Sequence, residues 1–379
     1  MTSGRVLVLN AGSATLKATV LDRPSSEPRF DRTVEWSTGD GSGAGATLDE
    51  LLDAIGEAGT PLESITVVGH RVVHGGEAFV APTVVDDAVL TALDATSDLA
   101  PLHNPAAVTT IRAARARLPG TTHVADFDTA FHATLPAVAR RYPVPDDWVE
   151  DHGIRRFGFH GLSVEWSVGR AADLLERPAE SLRLVVAHLG GGCSVTAVDG
   201  GRSVDTSMGL TPMEGLMMAT RAGSIDPGIV FRLLRAGVAG DDIERRLDRE
   251  SGLKGVGGTA DMRELLTRAG QGDDRAVLAI DLFVRRATAG IAAAATVLPA
   301  LDALVFTGGI GEHATTVRAR ICAGLRLFGV PAVDDRDVGE DAILAQEQNG
   351  RAVLNIHARE DIVIADHALA HRSGPDWYG

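Results

Sequence analysis

Two stretches of the chain carry the same pattern of apolar runs and small-residue turns. Residues 5–22 read RVLVLNAGSATLKATVLD, and residues 183–201 read RLVVAHLGGGCSVTAVDGG. In each, an apolar run meets a short turn of small and polar residues and then a second apolar run ending in Asp, which predicts a β-hairpin. Such a turn leaves backbone N–H groups and hydroxyls free to hold an anion without long side chains. Two copies half a chain apart predict two related domains, each with a phosphate-holding turn.

Between and after the hairpins, periods change from two to three or four. Residues 65–73, 122–127 and 303–307 read as strands; 86–95, 163–175, 229–236, 241–250, 261–269, 275–298 and 315–328 read as helices. Residues 105–118 read as a further helix, with Asn104 as its N-cap and Pro105 at its first position. The Gly-, Ser-, Pro- and charge-rich stretch 24–47 reads as turns, 205–228 as turns with a short helix, and the apolar run 361–365 as the lead-in to a last short helix. Strands and helices alternate in both halves, so the expected class is α/β.

A length of 379 residues is ample for two cores. Acidic residues outnumber basic ones 51 to 36, a formal net charge of −15, which argues against nucleic acid as a partner. The two cysteines, Cys193 and Cys322, form neither a disulfide framework nor a zinc site and suit a reducing cytoplasm. The first residues enter a strand with no signal-peptide layout, and the apolar stretch 287–301 is short and contains Pro299, so no membrane span is expected.

Several polar residues stand in apolar or Gly-rich surroundings. In an extended strand Ser13, Thr15 and Lys17 share one face, offering two hydroxyls and a cation beside Asn10, as a phosphate cradle or as a solvated hairpin tip. Arg71 lies inside an apolar strand and needs an anionic partner, in a structural ion pair or in a clamp on a bound anion; Arg221, in ATRAGSIDP, raises the same alternatives. Asp128 follows a strand at a sharp turn, where a carboxylate serves as ligand, base or N-cap. His160 sits between Phe159 and Gly161, as a core or a catalytic residue. GGIGEHA, residues 308–314, follows a strand and opens a helix; it suits a dinucleotide fingerprint or an adenosine-binding floor. No GxxxxGK[ST] loop is present.

Taken together, LVLNAGSATLK, GHRVVHGGE, LAPLHNPAA, DFDTAFH, FGFHGLS, AHLGGGCS, DTSMGLTPMEGLMMATRAGSIDPG and FTGGIGEH follow one another in an order that resembles the acetate and propionate kinase family. The resemblance implies two duplicated actin-like domains, of the sugar kinase, heat-shock chaperone and actin superfold, around a central cleft: residues 1–130 with 360–379, and residues 131–359 as the nucleotide-binding and dimer-forming domain. It implies reversible phosphorylation of acetate, or another short carboxylate such as propionate, by ATP with Mg2+ (Mn2+ able to substitute), in a cytoplasmic homodimer. Carried over residue by residue, Asn10 and Glu360 would serve the metal, and Lys17 with Ser13 and Thr15 the nucleotide phosphates. Arg71, Arg221 and His160 would act on the transferred phosphoryl group, with Asp128 as the catalytic carboxylate. His188, Leu189, Gly190, Gly191 and Gly192 would hold phosphate. Asp261, Met262, Arg263, Gly309, Ile310, Gly311, Glu312 and His313 would hold adenosine. Val73, Leu102, Phe159 and Pro212, beside Arg71, would form the acyl pocket. The chain departs from the family pattern at Gly191, Val164, Ser224, His313 and Arg359. Two other readings compete: a nicotinamide-dependent oxidoreductase using GGIGEHA, and a non-catalytic actin-like nucleotide-binding protein. An acyl phosphate formed from ATP and a carboxylate separates all three.

Overall fold

The structure, a computed structural model, describes residues 3–12, 15–36, 43–100, 103–336, 338–348 and 350–372. The chain gathers into two compact units: one takes residues up to Ala133 and from Arg359 onward, the other Thr134–Ala358.

In the first unit, β1 (Gly4–Ala11), β2 (Thr15–Arg23), β3 (Pro28–Glu35), β4 (Val67–Val72), β5 (Thr83–Val84) and β6 (Thr122–Phe127) form one sheet in the order β3-β2-β1-β4-β6-β5. The expected hairpin is β1–β2, antiparallel with Asn10 opposite Lys17. β4 runs parallel to β1 with Arg71 beside Asn10, and β6 runs parallel to β4. The central strands are buried on both faces, as parallel strands covered by helices must be. Leu7, Leu9 and Val68 pack with Leu48, Leu51, Leu52 and Ile55 of helix Ala44–Glu57 and with Val108 and Ile111 of helix Asn104–Arg117. Helix Glu360–Ala370 lies against β4. A Cβ on Gly69 would come 2.5 Å from the Ile364 side chain, so this close approach requires glycine.

The second unit repeats the plan. β7 (Arg183–Leu189), β8 (Cys193–Asp199), β9 (Arg202–Thr206), β10 (Ala303–Thr307), β11 (Ala342–Gln346) and β12 (Ala352–Asn355) follow the order β11-β12-β10-β7-β8-β9. Read from the other edge this is the order of the first sheet: an antiparallel meander, two strands parallel to its first member, and an antiparallel edge strand. The α/β fold with two similar domains is therefore present. Helix Asp274–Thr296 turns Ala276, Ile280, Phe283, Ala287, Ile291 and Ala294 inward at helical spacing, and Asp273 caps its first N–H groups.

Five local expectations change. Residues 205–228, read as turns with a short helix, hold no helix before Pro227. The stretch read as turns contains β3, an edge strand whose mostly exposed residues carry no apolar alternation. Asn104 is not an N-cap: it is the first residue of its helix and fully buried, with its amide given to the backbone of His74 and the hydroxyl of Thr96. Residues 360–370 are one continuous helix. β9, β11 and β12 fall where no strand was expected. Among the described residues, no helix is long and apolar enough to cross a membrane.

Candidate active site

In the first unit, three parallel strands bring their C-terminal ends together: Asn10 ends its pairing with β4 at Arg71, and Asp128 follows β6 directly. Arg71 is the hub. Its Nε and Nη2 donate to Asp128 Oδ1 and Oδ2 at 2.8 and 2.6 Å, and its Nη1 donates to Asn10 Oδ1 at 3.2 Å. Glu360, at the start of the C-terminal helix, places Oε2 3.6 Å from Arg71 Nε. The Asp128 side chain is 2% exposed and that of Arg71 18%. Burial works against the Arg71 charge, but Asp128 and Glu360 outweigh it and raise the guanidinium's pKa. Burial pushes the Glu360 carboxyl above its ordinary range; Arg71 opposes that shift and Asp128 adds to it. Thr15 and Lys17 alternate with buried Leu16 and Ala18 on β2, as strand geometry demands, and Lys17 Nζ is 2.9 Å from Asp31. Val73 is buried just beyond β4. Ser13 and Leu102 lie outside the described residues.

In the second unit, the β7–β8 turn is Gly190-Gly191-Gly192. Gly190 N–H donates to Gly192 O at 3.0 Å, and Ala219 N–H donates to Gly191 O at 3.2 Å. Two histidines stack beside it: the rings of His160 and His188 are 4.1 Å apart. His160 Nδ1 is 3.0 Å from Ser194 Oγ, and His188 Nδ1 is 2.8 Å from Ser163 Oγ. A Cβ on Gly192 would meet His160 Nε2 at 3.1 Å and Arg221 Nη1 at 3.5 Å, so the turn, the imidazole and the guanidinium converge where a side chain is missing. Arg221 donates from Nε to Asp248 at 3.0 Å and from Nη1 to the Pro212 carbonyl at 3.1 Å. Phe159 and Leu189 are buried in the core.

Beside the turn, a cavity of about 410 Å3 is lined by Gly190, Gly191, Asp261, Met262, Arg263, Gly309, Ile310 and His313, all anticipated, together with Ala219, Ala260, Leu266 and Ala314. Asp261 caps helix Met262–Gly270, and a bidentate bond from Arg263 lowers its carboxyl to about 2. Gly311 and Glu312 are buried and do not line the cavity. Glu312 Oε1 instead accepts from the N–H groups of Gly308 and Ala358 at 2.9 and 3.0 Å, which closes the GGIGEH turn on itself.

Sequence reasoning did not single out Ser163, Ser194, Asp248 or Asp31, the partners of His188, His160, Arg221 and Lys17. Asp248 sits in a run of alternating charges where nothing marks one carboxylate from the next, whereas Ser163 follows His160 by three residues at the start of a helix and was readable. Among the described residues, no group of three His, Cys, Asp or Glu side chains is arranged to hold a metal ion. Asn10 and Glu360 nevertheless both reach Arg71, and an amide oxygen with a partly buried carboxylate forms a hard oxygen pair. That fits Mg2+, which takes one or two protein ligands and completes its shell with water and phosphate.

A sequence model of the Acetokinase family matches residues 37–366. The acetate kinase of Deinococcus deserti is 47% identical over 345 residues, covering 85% of this chain and 86% of its own. The crystal structure of Porphyromonas gingivalis acetate kinase superposes with a TM-score of 0.89 at 31% identity, covering 97% of this chain and 99% of its own. A propionate kinase from Francisella tularensis does so with a TM-score of 0.89 at 35% identity and the same coverage.

Proposed function

The chain belongs to the acetokinase family and phosphorylates acetate with ATP, and we propose that it does so by direct in-line transfer through Arg71, Asp128, Arg221 and His160. The observation that supports this reading is the Arg71 knot: one guanidinium held by both oxygens of Asp128 and within reach of Asn10 and Glu360 at the ends of adjacent parallel strands. An acetate-like acid has a pKa of about 4 and is ionised at neutral pH, so the reaction needs no general base. A carboxylate oxygen attacks the γ-phosphorus, the bond to the bridging oxygen breaks, and ADP leaves with the electron pair. Asp128 has both oxygens committed to Arg71 and acts by aiming that cation.

Two anionic substrates must meet, so catalysis is chiefly charge neutralisation and positioning. Arg71 takes the acceptor carboxylate and flanks the transferred phosphoryl group. Arg221 and His160 take the phosphoryl oxygens, with the N–H groups of Gly190–Gly192 and the His188 ring beside them. Lys17 and Thr15 serve the nucleotide phosphates. The largely apolar cavity of Ala219, Met262, Leu266 and Ile310 takes the adenine, with Asp261 and Arg263 at its rim. Mg2+ would be held by Asn10 and Glu360, where it would neutralise phosphate charge. Val73, Phe159 and Pro212 limit acyl length, so propionate is accepted after acetate and butyrate poorly. The protein works in the cytoplasm as a homodimer. The exposed Ile229, Phe231, Leu233 and Leu234 of helix Pro227–Arg235 supply an apolar face for the partner.

Trapping acyl phosphate as hydroxamate, with ATP, Mg2+ and acetate, propionate or butyrate, tests the reading. Asp128→Asn should abolish the product. An Asp128→Asn protein with parental turnover overturns the assignment of the knot.

A further inference from the structure

Residues 207–226 form a twenty-residue stretch without helix or strand, and it carries both Pro212 and Arg221. Unstructured loops of more than about 15 residues are uncommon in compact units and need ties if their side chains are to be aimed. This one is tied at its first half to the segment that carries Phe159 and His160. The N–H groups of Phe157 and Gly158 donate to the Gly209 carbonyl at 3.0 and 3.3 Å. Arg156 donates from Nη1 to the carbonyls of Ser207 and Met208 at 3.1 and 2.9 Å, and from Nη2 to Glu214 Oε1 at 3.0 Å.

Tyr142 completes the knot. Its hydroxyl donates to Glu214 Oε2 and accepts from the Leu210 N–H at 3.1 Å. The Arg156 guanidinium lies 5.4 Å from the centre of the Tyr142 ring. Burial and the Glu214 carboxylate raise the Tyr142 pKa, so the hydroxyl stays a donor. A Cβ on Gly209 would meet Glu214 Oε2 and Tyr142 Oη, so a side chain there would displace both ends of this bond. Two residues before Glu214, the Pro212 carbonyl accepts from Arg221 at 3.1 Å. Farther along, Gly215 and Ser224 exchange two bonds that close the loop.

We propose that Tyr142, Arg156 and Glu214 are positioning residues that hold Pro212 and Arg221 in register with Phe159 and His160, and so set both turnover and acyl-chain selectivity. This rests on the roles given above to Arg221, His160 and the acyl-pocket residues. None of the three lines the cavity beside the glycine turn, so the knot governs the transfer step and leaves adenosine binding alone.

The test compares Tyr142→Phe, Glu214→Ala, Glu214→Gln and Arg221→Ala in the full-length protein. Tyr142→Phe keeps the ring under Arg156 and removes only the hydroxyl, so it should fold. A displacement of about 1 Å at a reacting group can cost about a hundredfold in rate. Tyr142→Phe and Glu214→Ala should therefore lower kcat about 10- to 100-fold and change the acetate-to-propionate ratio of kcat/KM, with KM for ATP held within about twofold. Glu214→Gln, which still accepts from Arg156, should recover part of the loss. If Arg221→Ala lowers turnover while Tyr142→Phe and Glu214→Ala match the parent in kcat and acyl ratio, the positioning role is wrong and the reading of Arg221 stands. Parental turnover in Arg221→Ala overturns both. A loss that follows only the folded fraction, with kcat per ATP-binding site and the acyl ratio unchanged, would make the knot merely structural.

Discussion

In the proposed reaction Arg71 joins stability and chemistry in one side chain. Replacing it by Ala leaves the nearly inaccessible Asp128 and the partly buried Glu360 without their cation. Removing one member of a buried pair costs about 3–5 kcal/mol, and an arginine acting on a transferred phosphoryl group is worth about 10³ in rate or more. Arg71→Ala should therefore both melt earlier and lose turnover. Arg71→Lys keeps the charge but not the planar fork, so it should recover stability without recovering rate; calorimetry beside the hydroxamate assay separates the two. At Val73, buried beyond β4, removal of two methyl groups should raise kcat/KM for propionate relative to acetate. The change should stay below about two hundredfold, since a methylene in an apolar pocket is worth about 1–3 kcal/mol. An unchanged ratio removes Val73 from the acyl pocket. Cys193 and Cys322 are buried, which pushes both thiols up to about 12 from 9.0. Neither should react with iodoacetamide in the folded protein at about pH 8. Between those two values the unfolded chain gives up its thiol protons while the native one keeps them, so native stability falls as pH rises through that window. Mass spectrometry and alkaline melting curves check both statements.

At the scale of elements, two glycines of the β7–β8 turn differ in what they tolerate. A Cβ on Gly191 meets nothing within 4 Å, whereas one on Gly192 comes to 3.1 Å from His160 Nε2. Gly191→Ala should leave melting and turnover near the parent. Gly192→Ala should lower kcat about tenfold by displacing the imidazole, and equal kinetics in the two variants would show that His160 is not placed by this turn. The hairpins were legible because both their strands are buried and their apolar runs stand out. So was the helix Asp274–Thr296, whose inward positions repeat at helical spacing. β3 was not legible, because an edge strand with exposed polar side chains has no apolar alternation to read. The run DIVIA at 361–365 read as a lead-in rather than as helix because the helix containing it is buried around most of its circumference, which erases the period of 3.6. Asn104 misled for another reason: a residue type that favours caps is here spent on tying distant backbone. Arg71 was readable as a cation inside an apolar strand and Asp128 as a carboxylate at a strand's end, but their mutual pairing, and that of Arg221 with Asp248, depends on which strands and helices become neighbours in three dimensions.

For the whole molecule, a formal charge of −15 surrounds chemistry performed on two anions, so the cations at the strand ends and glycine turn must act locally. The face formed by Ile229, Phe231, Leu233 and Leu234 leads to a prediction at this scale. In the proposed homodimer, Phe231→Asp should lower the mass seen by light scattering at micromolar concentration to that of a monomer, and an unshifted mass would remove this face from the proposed contact. The first unit is discontinuous: its sheet comes from residues before 134, while the helix that covers β4 and carries Glu360 follows the entire second unit. On the ribosome, the first sheet therefore emerges with the Gly69 face bare and waits through the synthesis of more than two hundred further residues for its cover. The second unit, made of continuous chain, is free to fold meanwhile. A polypeptide that stops before helix Glu360–Ala370 lacks Glu360 beside Arg71, so translation itself withholds this neighbour of Arg71 until the whole second unit has been made.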